Sequence, residues 1–240
     1  MECTIGGTRR HLVDLALGLA ARGHEVTVAA AAERAPDFRQ DLALMLRSGV
    51  RAVEVPMVRP IAPLADRRAG RILRSLVEET NPELVHTHSS KAGVLGRNAA
   101  GNRPTVHTPH TFSFLFENEF SRFRRLAFRA LEVRLARRTS RTICVSASEA
   151  AEAVSQGVLD PSRTRVVPNG IDPAAYASAE PLDRSSLDVP EDAFLVGVLG
   201  LLSEAKGHED LLAALADRRT DLPLLHLVIA GTGNLEPRLR

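Results

Sequence analysis

Short β-branched runs alternate with helical patterns along most of this chain, and that alternation limits its fold more than any other feature. Strands are expected at residues 25–30, 52–56, 83–87, 104–108, 142–146 and 165–167. Helices are expected between them, at 37–47, 66–79, 91–100, 118–138 and 148–156. A first helix shows Leu12, Leu15, Leu19 and Ala20 at helical spacing and closes on Arg22-Gly23, a cation followed by a C′ glycine. Strands that each lead into a helix cannot pair as hairpins. They form a parallel sheet with helices on both faces, an α/β architecture.

The pattern breaks at Arg165-Val-Val-Pro-Asn-Gly-Ile-Asp172. Pro168 gives a sheet no N–H, and Asn169-Gly170 is a turn pair that tolerates positive φ. A stretch rich in Ala, Ser, Pro and Asp follows, and then the theme restarts. Residues 194–199 read as an apolar strand, 200–207 as a loop, 208–216 as a helix and 224–230 as a second strand, followed by Gly231-Thr-Gly233. The expected division is therefore a Rossmann-like domain at 1–172, a linker at 173–190 and a partial second Rossmann-like domain at 191–240. Two ends look incomplete. At most Glu2–Ile5 is available for a strand before Gly6, and two strands are few for the second sheet. A fragment is expected on both counts.

The 240 residues are 44% hydrophobic and 25% charged, with a formal net charge of +2. This is ordinary globular material, and nucleic acid is not an expected partner. Cys3 and Cys144 are the only cysteines. They make neither a disulfide framework nor a zinc motif, and they suit a reducing compartment. No apolar run reaches bilayer-spanning length, and there is no signal-peptide core at the start. A cytoplasmic location, with contact at the inner face of the membrane, is expected. That contact is assigned to the segment from Asn118 to Arg138. It places Phe120, Phe123, Ala127, Ala130 and Leu131 on one arc and Arg122, Arg125 and Arg129 on another, as a basic amphipathic helix on an anionic surface does. A solvated outer face gives the same pattern.

Several residues could carry chemistry. Gly6-Gly7-Thr8 opens a helix, where free N–H groups and the dipole favour an anion; a plain turn reads the same way. Lys206 and Gly207 stand at a second strand–loop–helix entrance, a cation beside exposed N–H groups that suits a diphosphate. His110 follows Pro109 at the C-terminal end of an expected strand, where open α/β sheets bind ligands. His86, His88 and His107 lie near strand ends as well. A zinc site from these four is conceivable, but acidic and cysteine ligands are not nearby in sequence, and no metal is expected.

Taken in order, several segments resemble the GT-B glycosyltransferases of glycosyltransferase family 4. They are Gly6-Gly-Thr with Leu15 and Arg22-Gly-His-Glu-Val, Leu84-Val-His-Thr-His88, Thr108-Pro-His110, Ile143-Cys-Val-Ser146, Val166-Val-Pro-Asn-Gly-Ile-Asp172, Lys206-Gly-His-Glu-Asp-Leu and Val228-Ile-Ala-Gly-Thr-Gly233. The likeness is closest to bacterial members that build cell-surface polysaccharides or glycolipids. The resemblance implies two facing Rossmann-like domains, with a nucleotide-sugar donor mainly on the second and a lipid-linked or saccharide acceptor on the first. It implies donor contacts at Gly6, Gly7, Lys206, Gly207 and Gly233, and a catalytic contact from His110 to the transferred sugar. It also implies metal-free transfer with retention and no cofactor. Two departures stand out: Gly200-Leu-Leu202 replaces the family's Gly-Arg-Leu, and the family's E-x7-E segment lies outside these residues. Alternatives of other classes are a non-catalytic remnant that binds acceptor or membrane, a nucleotide-sugar epimerase of the same architecture, and an NAD-dependent oxidoreductase. The last is disfavoured because a full glycine fingerprint with its acidic partner is missing.

Overall fold

The computed structural model describes residues 1–2, 5–33, 35–116, 119–216 and 224–239. They fall into two compact units, Met1–Ile171 and Asp172–Arg240. In the first unit, α1 (Gly6–Ala20), β1 (Thr27–Ala30), α2 (Phe38–Arg47), β2 (Arg51–Glu54), α3 (Pro63–Thr80) and β3 (Val85–His88) are followed by α4 (Ser90–Ala99), β4 (Thr105–Thr108), α5 (Arg122–Ala136), β5 (Arg141–Cys144), α6 (Ala147–Ser155) and β6 (Thr164–Val166). The second unit holds α7 (Ala174–Ala177), β7 (Phe194–Leu199), α8 (His208–Ala216), β8 (Leu225–Ala230) and α9 (Glu236–Leu239).

Among the described residues every strand pairing is parallel. The first unit carries β1–β2 as one pair and β3-β4-β5-β6 as a four-stranded sheet, and the second unit carries β7–β8. Met1 lies beside the end of β1: its carbonyl accepts the Ala31 N–H at 2.9 Å and its amino group donates to the Ala29 carbonyl. The strand considered for Glu2–Ile5 falls partly on residues 3 and 4, outside the described residues.

Alternation along β1 builds a core on each face. Val28 and Ala30 pack with Leu12, Val13 and Ala16 of α1 and Phe38, Leu42 and Met45 of α2. Ala31 and the flanking Ala29 pack instead with Ala69 and Leu73 of α3 and Ala92 and Ala99 of α4. The helices tie to one another through ions as well. Arg9 of α1 meets both Asp37 and Asp41, each at 2.5 Å. Arg97 of α4 grips both carboxylate oxygens of Glu132 on α5, at 2.8 and 3.0 Å.

Two elements differ from the sequence expectation for clear reasons. The third helix begins at Pro63 rather than near Asp66, because proline at the first helical position costs no hydrogen bond. The helix expected from Asn118 begins at Arg122; Asn118 itself lies outside the described residues. Before it, a 3₁₀ turn at Ser113–Leu115 sends Phe112 and Phe114 into the core with Cys144, Ala150, Ala153, Val158 and Leu159. Burial pushes the Cys144 thiol up to about 12, so it is an inert core residue.

Candidate functional site

The register of β3 on β4 decides which histidines meet. Thr87 pairs with His107 and His88 with Thr108, so residues 87 and 107 share one face and 86, 88 and 108 the other. The first of these faces is covered by α4. A Cβ on Gly93 would stand 2.5 Å from His107 Cε1, and one on Gly96 would stand 2.7 Å from Thr87 Cγ2, so glycine at both positions lets α4 lie directly on the sheet. His107 is fully buried there, with Nδ1 2.9 Å from Thr87 Oγ1. It is a core histidine rather than a ligand-facing one.

On the opposite face, His86 Nε2 bonds Thr108 Oγ1 at 2.8 Å, and the His86 and His88 rings lie 4.1 Å apart. His88 Nδ1 is 3.2 Å from His110 Nε2. His11, on the second turn of α1, completes the group, its ring 5.4 Å from that of His88 and 4.8 Å from that of His110. Gly6 and Gly7 open this same helix. Gly6 has a φ of 54°, which glycine adopts without strain, and neither glycine has an atom within 4 Å of an added Cβ. His11 is a member of this histidine cluster that the sequence reading does not anticipate.

His110 is held in an unusual backbone. It and Thr111 both lie in the left-handed region, with φ of 52° and 79°. Such conformations cost on the order of 1–3 kcal/mol each for non-glycine residues and persist only where neighbours impose them. Here Glu149 imposes them. Its Oε1 accepts the Thr111 N–H at 2.6 Å and its Oε2 accepts the Val145 N–H at 3.0 Å. Glu149 sits in the first turn of α6, fixed by its own N–H donating to the N-cap Ser146 Oγ at 3.1 Å. Phe112, fully buried, anchors the far side of the turn. Burial raises the Glu149 pKa, against the lowering effect of the two N–H donors.

Burial is also the largest cause of the lowered pKa values of His11, His86, His88, His107 and His110, with His86 and His110 brought down to about 4. Neutral imidazoles thus fill this region at pH 7. An unfolded chain binds protons at these histidines from about pH 6.5 downward, while the folded one resists until lower pH. Stability is therefore full above the unfolded value and lost as pH falls through this window. The thermal midpoint should drop steadily between pH 7 and pH 5; a midpoint flat across that range would show that the rings are solvated in the folded chain.

The second unit has its own strand-end structure. The loops after β7 and β8 run backbone to backbone: Gly200 N–H donates to the Ala230 carbonyl at 3.0 Å and Leu202 N–H to that of Thr232 at 2.9 Å. A Cβ on Gly231 would strike the Gly200 carbonyl, and one on Gly233 that of Leu202. Gly233 thus has a packing reason of its own, beside the ligand role expected of it. Lys206 is exposed at the end of a 3₁₀ turn at Glu204–Lys206. Gly207 turns the chain at a φ of 66°, and α8 starts at the next residue. His208 is buried, and its Nε2 lies 3.1 Å from the Leu201 carbonyl, which ties the loop to the helix start. Leu201, where the resembled family carries Arg, is exposed. Lys206, Gly207 and Gly233 are thus gathered in one unit, and Gly6, Gly7 and His110 in the other.

Comparison with known proteins matches this architecture. A glycosyltransferase from Rickettsia africae ESF-5 superposes over 100% of this chain and 61% of its own, with a TM-score of 0.72 at 14% identity. The fold is that of the GT-B glycosyltransferases. Residues 5–175 match the model of Glycosyltransferase Family 4, and the chain belongs to that family. An Escherichia coli UDP-Gal:alpha-D-GlcNAc-diphosphoundecaprenol alpha-1,3-galactosyltransferase is 33% identical over 164 residues, 65% of this chain and 42% of that protein. A phosphatidyl-myo-inositol mannosyltransferase of Mycolicibacterium smegmatis is 30% identical over 242 residues, 98% of this chain and 57% of that protein. The chain therefore spans roughly two fifths to three fifths of the length of these relatives.

Proposed function

We propose that this chain serves a retaining transfer of a hexosyl group from a nucleotide sugar to a lipid-linked or saccharide acceptor in glycolipid or polysaccharide synthesis. The observation that carries the reading is the His110 turn: a strand-end imidazole, neutral at pH 7, kept in a strained backbone by Glu149. A relative named for a UDP-galactose donor and a diphosphoundecaprenol-linked acceptor supports both substrate classes.

In this reading His110 contacts the transferred sugar and holds it while the bond to the diphosphate breaks. Lys206 and the N–H groups at the start of α8 meet the negative charge that grows on the leaving diphosphate. Fixed positive charge of this kind lowers the barrier because it binds the transition state more tightly than the ground state. Leu201 adds no charge where the family's Arg would, so more of this task falls to Lys206. The test is release of nucleoside diphosphate from uridine-, guanosine- and adenosine-linked sugars, using the protein that contains these residues. Release that requires an added acceptor and is lost in Lys206→Ala supports the reading, and failure with every donor counts against it.

The acceptor class predicts contact with a membrane surface through α5. No helix among the described residues is long and apolar enough to cross a membrane. The arcs of α5, however, are not those expected. Arg125 turns inward to the Phe114 carbonyl at 3.1 Å, and Arg129 to the Gln156 carbonyl. Phe123, 84% exposed, and Leu126 point outward instead, beside the exposed Arg122 and Arg124. Insertion of Phe123 with Arg pairing to anionic headgroups follows from that face. Phe123→Ser with Leu126→Ser should weaken sedimentation with phosphatidylglycerol vesicles, and Arg122→Glu with Arg124→Glu should do the same most clearly at low salt. Wild-type protein that ignores such vesicles would leave α5 as a solvated face.

A further inference from the structure

We propose that His11, His88 and His110 form a binding site for a divalent transition-metal ion of the Zn²⁺ class. One ring nitrogen from each of the three residues can be chosen so that all lie within 4.8 Å of one another. The His88 Nδ1 to His110 Nε2 separation is 3.2 Å. Two nitrogens on one tetrahedral ion, with bonds of ~2.0–2.1 Å, are about 3.3 Å apart. The three rings come from separate elements, α1, the end of β3 and the turn after β4, and the last of these is fixed through Glu149.

A second observation points the same way. His11 Nε2 is buried and has no hydrogen-bond partner. The lone pair or proton of Nε2 is left without a mate. A buried imidazole nitrogen with no protein partner is available to ligate an ion. A buried ring nitrogen left unpaired costs stability that an ion would recover. His86 is excluded from the set because its Nε2 bonds Thr108 Oγ1, and His107 because it lies on the opposite face of the sheet, under α4. Three imidazoles without thiolate or carboxylate suit Zn²⁺, Cu²⁺ or Ni²⁺ and leave a coordination position open.

One local change accompanies binding. The His88–His110 hydrogen bond needs a proton on one of its two nitrogens, whereas coordination needs a lone pair on both. The ring that carries the proton must move it to its other nitrogen. An ion held here occupies His110, so metal and transferred sugar would compete. That consequence rests on the transferase reading, but the site itself does not.

The test uses the 240-residue chain without a histidine tag and reads metal alone. Zn²⁺ competition against a chromophoric chelator should give one ion per chain, and Co²⁺ should give the visible bands of a tetrahedral site. His11→Ala, His88→Ala and His110→Ala should each weaken binding about tenfold or more, while His24→Ala, at an exposed position, leaves it unchanged. Circular dichroism checks that each variant folds. Where one does not, ¹⁵N shifts of the wild-type imidazoles on Zn²⁺ addition replace it, and those of His11, His88 and His110 should move together. The proposal is overturned if the wild-type chain retains no ion, if binding survives loss of His11 or His110, or if other histidines shift instead.

Discussion

Replacing Glu132 by alanine will cost the 1–171 unit about 3–5 kcal/mol of stability. Glu132 and Arg97 expose only 7% and 4% of their side chains and join α5 to α4 through Arg97 Nη2, which donates to both Glu132 carboxylate oxygens. Arg97 Nε also donates to the Gly93 carbonyl at 2.9 Å, which keeps the guanidinium in place when its partner is gone. The loss therefore leaves a buried, uncompensated cation. Arg97→Ala should be similarly damaging, because it strands the carboxylate. Arg97→Met with Glu132→Leu should cost far less, since an apolar pair of similar volume removes both desolvation penalties. Urea unfolding reads this as a midpoint shift at constant slope. A loss under about 1 kcal/mol for either single variant would mean the pair is solvated and worth only what surface pairs are.

Glu149→Ala will lower turnover nearly as far as His110→Ala, on the order of 100-fold. Glu149 is a positioning residue: its two oxygens hold Thr111 and Val145, and through Thr111 they hold the His110 backbone in its strained conformation. Without that carboxylate the turn relaxes and the imidazole leaves its place. The effect should fall on kcat far more than on donor KM, because the diphosphate contacts are assigned to Lys206. Glu149→Gln keeps one acceptor and should be intermediate. Lys206→Ala should damage both parameters, as the diphosphate is charged in the ground state and more so at the transition state. Unchanged kcat in His110→Ala would remove His110 from the chemistry.

These expectations rest on features of unequal visibility in the sequence. The parallel α/β plan was legible because strand and helix periods differ and alternate cleanly. The strand-end position of His110 was legible because Thr108-Pro-His110 closes a β-branched run; its ligand role is proposed from the place where open sheets bind ligands. His11 was not, since it lies on a helix read only for its leucines, and no local pattern tells which helix face will cross the strand ends. Glu149 was hidden for a similar reason. A carboxylate three residues after Ser146 reads as an ordinary capping box, yet its oxygens go to Val145 and to Thr111, 38 residues away. The arcs of α5 were misjudged because Arg125 and Arg129 satisfy carbonyls at the end of other elements, a demand that amphipathic periodicity does not reveal. Gly233 shows the reverse limit. Its motif suggests a ligand, while its backbone shows that the neighbouring loop alone already requires a glycine.

The most direct measurement is transfer itself. The protein containing these residues is incubated with a labelled nucleotide-sugar panel and a polyprenyl-diphosphate-linked saccharide, and the label is followed to product. Label is expected on the lipid-linked acceptor with stoichiometric nucleoside diphosphate and the anomeric configuration retained, and transfer is expected to be lost in His110→Ala and Lys206→Ala. Recovery of the nucleotide sugar with its sugar epimerised and no label on acceptor would contradict the transferase reading, as would transfer indifferent to both substitutions.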